Sequence, residues 1–185
     1  MRFPSIFSVQ KKIWRLRPEV LLCANTVKPM HGVVPRIILG KDWWDDTRAA
    51  AYRSTDFHCI ACGVSKWEAA EHKWLEGHEL YETDYRRGRM TYVETVPLCH
   101  YCHNFIHDGR LKAIRDKKEI TQNKYNAVMA HGRKVLRAAG LRKKPPYVGP
   151  IAEWKKWRLV LFGKEYPPIY KTMTEWRRAF DRNLD

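Results

Sequence analysis

Four of the five cysteines in this 185-residue chain fall in two couplets, Cys59-Ile60-Ala61-Cys62 and Cys99-His100-Tyr101-Cys102. A CxxC couplet is a tight knuckle that presents two thiolates, and two knuckles together have the spacing of a tetrahedral zinc site. The second couplet runs straight into His103-Asn104-Phe105-Ile106-His107. Residues four apart share a helix face, so His103 and His107 can turn both imidazoles toward one ion. The spacing therefore predicts two metal centres with different purposes. The fifth cysteine, Cys23 between Leu22 and Ala24, reads as a buried free thiol.

The elements that must position these residues follow from pattern. Asp42 reads as the N-cap of a helix near 42–53 that passes through Trp43, Trp44, Arg48, Ala51 and Tyr52. Between the couplets, residues 75–82 and 90–98 read as the strands of a β-hairpin, joined by the basic loop Thr83-Asp84-Tyr85-Arg86-Arg87-Gly88-Arg89. After Cys99 the spacing of Phe105, Ile106 and Leu111 predicts one helix. Thr121 can cap a further helix whose apolar stripe is Tyr125, Val128, Met129, Val135 and Leu136, ended by Gly140. Gly132 falls on that stripe and weakens the helix, while His131 beside it reads as a surface or satisfied core histidine. Leu141-Arg142-Lys143-Lys144-Pro145-Pro146 reads as a stiff basic linker. The last segment carries Trp154, Trp157, Leu159, Val160, Leu161 and Phe162, a turn near Gly163-Lys164, and a helix from Thr174 through Trp176 and Phe180. The expected organisation is an α+β chain in three parts: an N-terminal segment at 1–57, a core at 58–117 and a helical, aromatic, basic extension at 118–185.

Knuckle, hairpin, knuckle and helix together resemble the HNH endonucleases, a branch of the ββα-metal (His-Me finger) nucleases, over roughly residues 58 to 112. The resemblance implies that Cys59, Cys62, Cys99 and Cys102 hold a structural Zn²⁺ that fastens the hairpin to the helix. It implies a second, catalytic divalent ion, Mg²⁺ or Mn²⁺, on His103 and His107. Where the family's first strand commonly reads Glu-x-(Asp or His)-His, this chain has Glu76-Gly77-His78-Glu79. In one register His78 is a metal ligand and Glu79 the general base; in the other His78 is the base and Glu76 helps to bind metal. A histidine of ordinary pKa near ~6.5 suits proton abstraction at neutral pH better than a solvated glutamate near ~4.3. Glu94 stands where the family usually has Asn, and either orients a histidine or faces solvent. His100 reads as exposed. The implied activity is hydrolysis of DNA phosphodiester bonds, one strand per site; the alternative is a zinc-stapled nucleic-acid-binding module without turnover.

Charge agrees with a polyanionic partner. Lys and Arg number 35 against 20 Asp and Glu, a formal net charge of +15, with 8 Trp and 9 Tyr available for stacking. Arg86, Arg87 and Arg89 in the hairpin loop, with Arg110 and Lys112 after the helix, are candidate contacts to double-stranded DNA. In the tail, Lys155, Lys156 and Arg158 alternate with tryptophans that could stack bases but more often anchor a small core. The opening residues 1–9 have a basic residue before apolar ones, but Gln10-Lys11-Lys12 ends the run too early for a signal peptide. No stretch reaches the roughly 20 apolar residues of a membrane span. An odd cysteine count without an export signal predicts zinc-bound thiolates in a reducing cytoplasm, the host's if the chain is phage-encoded. The chain is expected to act as a monomer or dimer, alone or within a larger nuclease or phage assembly.

Overall fold

The computed structural model describes residues 14–143 and 147–181, without the side chains of Phe180 and Asp181. The apolar opening run and the Lys144-Pro145-Pro146 part of the basic linker lie outside the described residues. The helices α1 (Pro35–Ile38) and α2 (Gly40–Ser54) precede a hairpin of β1 (Glu76–Asp84) and β2 (Arg89–Leu98). Then come α3 (His100–Ile106), α4 (Asp108–Asp116) and α5 (Gln122–Ala138), followed by β3 (Arg158–Leu161), β4 (Lys164–Tyr166) and α6 (Met173–Asp181). The result is a mixed α+β architecture around one four-stranded sheet in the order β1-β2-β3-β4.

The hairpin forms over the two segments read as strands, 75–82 and 90–98, with the first running on to Asp84. Its strands are antiparallel, with His78 opposite Val96 and Glu79 opposite Thr95, and the register shifts between Leu80 and Tyr81. Leu80 faces Glu94 while Tyr81 faces Tyr92, so Val93 is the extra residue of a β-bulge. The tail is built into the same sheet as the hairpin. β3 lies parallel to β2, pairing Met90 with Leu159, and β4 turns back on β3. Trp157, Leu159 and Leu161 are buried there with Met30, Val33 and Met90, a second apolar core under the turn end of the hairpin. Trp157 thus acts as an anchor, and Trp154 donates its indole N–H to the Tyr170 carbonyl at 2.6 Å. The charges beside them, Lys155 and Lys156, face Glu153 at the surface.

Three helix boundaries differ from expectation for local reasons. α2 begins at Gly40 with Leu39 as its cap, so Asp42 sits inside the first turn and complements the positive helix end without capping it. The helix after Cys99 is two helices that break at His107 (φ −86, ψ 41). Asp108-Gly109, a poor helix interior, instead starts the new helix α4. α5 follows the sequence more closely: the Thr121 hydroxyl accepts from the Lys124 N–H at 3.2 Å, and the helix ends at Ala138.

Gly132 has a packing reason. A Cβ built there would lie 2.1 Å from Cγ of Phe105, so only glycine lets α5 approach α3 this closely. Phe105, Ile106, Val128 and Leu136 join Leu80, Val96, Leu98 and the cysteines in the first, larger core. Among the described residues no helix is long and apolar enough to cross a membrane.

Candidate metal centres

The cysteine knuckles are held together by backbone before any ion is considered. In the first, Cys59 N–H donates to the Val64 carbonyl (2.9 Å) and Gly63 N–H to the Cys59 carbonyl (2.8 Å). Gly63 closes this turn at φ +79, a conformation that side chains disfavour. The knuckle is then tied to the end of β2 by Ile60 N–H donating to the Pro97 carbonyl (3.0 Å). That bond delivers it to the second knuckle, where Cys99 is the residue before α3 and Cys102 lies in its first turn. All four sulfurs lie within 4.8 Å of one another, with Cys59 and Cys102 fully buried.

Four thiols this close, three of them buried, are a donor set suited to zinc, of the composition that closed structural sites use. The other three cysteines hydrogen-bond to Cys59 and hold its thiol far below the ordinary range. Hydrogen bonding to Cys59 in turn pushes the Cys102 thiol up, so the low value at Cys59 is not shared by all four sulfurs. His131, which sequence reading leaves as a bystander, places Nε2 3.3 Å from Cys102 Sγ. It is an outer partner that fixes the sulfur's orientation.

A different cluster forms where β1 meets α3. His78, His103 and His107 bring one ligand atom each within 4.8 Å of the others. Their ring centroids are 4.7 to 5.3 Å apart. The i, i+4 spacing on α3 survives the helix break because His107 N–H still donates to the His103 carbonyl at 3.2 Å. Burial, with His103 and His107 alongside, pushes the His78 imidazole down to about 3. Burial and His103 push His107 down to about 4. Both rings are neutral near pH 7, the form that ligates metal.

These imidazoles line a cavity of about 280 Å³ whose walls include Arg36, Glu79, Tyr81 and Arg110. Glu79 is 8% exposed. Its Oε2 accepts from the Tyr81 hydroxyl at 3.0 Å and lies 3.5 Å from the Arg36 guanidinium. Burial pushes the Tyr81 phenol far up, so it stays protonated and can donate. The other oxygen of Glu79, Oε1, is buried with no hydrogen-bond partner. Arg36 has no sequence motif to mark it; it lies on α1, which packs against α2, and α2 in turn contacts β1.

The remaining candidates are placed less simply. Glu76 stands outside the three-imidazole group: its Oε2 is 2.5 Å from His103 Nδ1, and its Oε1 faces His100 and His72. Glu94 makes a 2.7 Å ion pair with Arg17. Cys23, half-buried, sets Sγ 3.4 Å from His78 Nε2, and burial pushes its thiol up to about 11; a ring that ligates through Nδ1 donates its Nε2–H to that sulfur. His100 is half-buried against Glu76 rather than exposed. Of the basic candidates, Arg89 is tied to Glu165 at 2.7 Å and Arg87 lies 3.6 Å from Asp84. Arg86 and Lys112 are exposed, and Arg110 borders the cavity.

The chain is thus a mixed α+β protein with a buried four-cysteine group fit to hold zinc. Comparison with protein-family models, curated proteins and solved structures finds no match to this chain.

Proposed function

We propose that this protein is a metal-dependent DNA endonuclease of the HNH type, nicking one strand per site. The observation that carries the reading is the meeting of His78, His103 and His107 at a cavity that Glu79 also lines, the Oε1 of that carboxylate being buried without a hydrogen-bond partner. Neutral imidazoles, two nearby arginines and a buried carboxylate suit a phosphodiester with a divalent cation. When bound, an ion such as Mg²⁺ or Mn²⁺ polarises the scissile phosphate and offsets charge on the leaving oxygen.

The residues divide the remaining work. His78, whose ring faces His103 and His107, acts as a ligand, which leaves the proton to Glu79. Tyr81 and Arg36 immobilise one oxygen of Glu79, so the other is held ready to accept a proton from the attacking water. Arg110 and Arg36 attract the phosphate to the cavity, and the net charge of +15 supports approach to a DNA backbone. The cysteine zinc is structural in this reading, and a cytoplasm is its setting, the host's if the chain is phage-encoded.

A supercoiled-plasmid nicking assay with Mg²⁺ or Mn²⁺ tests the proposal. Wild type should convert supercoiled to open-circular DNA, and His107→Ala and Glu79→Gln should not. Binding of plasmid with no nicking under either metal would replace the proposal with a binding module.

A further inference from the structure

We infer a third metal site, formed by His72, Glu76 and His100 and separate from both the cysteine cluster and the three-imidazole group. It goes beyond the nuclease reading and does not depend on strand cleavage. Glu76 opens β1, His72 lies four residues before it, and His100 opens α3, so two stretches of chain supply the donors. His100 Nδ1 is 2.8 Å from Glu76 Oε1, His72 Nε2 is 3.1 Å from the same oxygen, and the two nitrogens are 3.1 Å apart.

A near-equilateral triangle is a poor arrangement for hydrogen bonds. Both nitrogens crowd one carboxylate oxygen while also facing each other, so every placement of protons opposes two donors or two lone pairs. The same triangle is one face of a coordination tetrahedron. Zinc bonds of about 2.0–2.1 Å put neighbouring ligand atoms roughly 3.3 Å apart.

The loop histidine is also oriented as a ligand. His72 Nδ1 lies 3.2 Å from the Trp74 carbonyl, to which a neutral ring donates its N–H, leaving the Nε2 lone pair aimed at the triangle. Trp74 stacks on the ring with centroids 3.6 Å apart and planes 4° apart, which fixes its tilt. Two imidazoles and a carboxylate select a Zn²⁺-class ion, and the half-buried donors leave a coordination position toward solvent. Because Oε2 of Glu76 contacts His103, the carboxylate would be shared between this site and the imidazole cavity.

Cobalt titration of the full chain, with zinc retained on the cysteines, tests the site. The background variant is His107→Ala, which breaks the three-imidazole group without touching Glu76. That protein should bind one Co²⁺ with visible bands typical of nitrogen and oxygen ligands and no sulfur charge-transfer band. Adding His72→Ala should weaken this binding at least about 100-fold, since loss of an outer partner alone can cost that much. Zinc content and the thermal transition report whether the double variant is folded; if it is not, His100→Ala on the same background takes its place with the same expected loss. Absence of the nitrogen and oxygen bands in His107→Ala would overturn the site, as would cobalt affinity unchanged by His72→Ala or His100→Ala in a folded chain.

Discussion

Cys102 and His103 are adjacent residues of α3, yet their side chains serve two regions built on opposite terms. Around Cys102 the four sulfurs are packed into the larger core, with backbone bonds closing the first knuckle and His131 behind the metal-facing atoms. Around His103 the donors border a cavity with polar walls, and an oxygen of Glu79 is left buried without a partner. One group offers four donors enclosed in protein; the other offers three donors beside open volume. Closed coordination suits a staple and open coordination suits a reaction, so the pair predicts that damage to each should be read out differently.

The largest effect should come from the staple. Cys102→Ser should abolish tight zinc binding and cost most of the roughly 10 kcal/mol or more that a structural zinc contributes, leaving residues 58–112 without fixed packing by heteronuclear NMR. A zinc-free Cys102→Ser chain with the wild-type thermal transition would erase the contrast between the two regions.

Next comes the open centre. Glu79→Gln should lower nicking by about 10²–10⁴-fold, while zinc content stays at the wild-type level. A fall in zinc content alongside activity would mean that the cavity supports the fold rather than the chemistry.

Packing between the helices that carry both regions should matter less. Gly132→Ala drives a methyl into Phe105 and should cost about 1–3 kcal/mol in chemical denaturation. Loss of activity in proportion to unfolded fraction, and no further, is the outcome that keeps Gly132 structural.

Acid should act on the imidazoles first. His78 and His107 are held down to about 3 and about 4 in the folded chain against an ordinary 6.5, so below pH 6.5 the unfolded chain binds protons that the folded chain refuses. Their effect on stability is absent above pH 6.5 and becomes a growing loss as pH falls toward about 4, measurable as a falling denaturation midpoint. A midpoint flat over that interval, in protein that keeps the cysteine zinc and has no ion on the imidazoles, would contradict the neutral buried rings.

The smallest effect belongs to the surface. Arg110→Ala should weaken DNA binding and reduce its salt slope by about one ion, whereas Arg89→Ala, whose guanidinium is already engaged by Glu165, should change the slope less. Equal slopes would show that the cavity mouth is not where the phosphate approaches.

Much of this architecture could be read from local pattern. The hairpin followed from two segments read as strands, α5 from its stripe and Thr121 cap, and the cysteine group from two CxxC spacings, because each depends on residues within a few turns of one another. Less was legible at the imidazole cavity. His103 and His107 were marked by helical spacing, but the grouping of His78 with them, and of Glu76 with His72 and His100, depends on how β1 lies against α3. His72 carried no signal beyond its type, and Cys23 looked inert until folding set it beside His78.

By itself, then, the sequence determined which donors exist and which pairs must be neighbours: two thiolates per knuckle, two imidazoles per helical face, and a strand pair between them. Tertiary structure alone decided how those pairs combine. It shared Glu76 between two histidine groups, gave Arg36 to Glu79, gave Glu94 to Arg17, and laid the tail's β3 along β2. The reason is one of range. Covalent spacing constrains partners a few residues apart, while the meeting of distant segments is chosen by burial of two apolar cores that no single stretch of the chain contains.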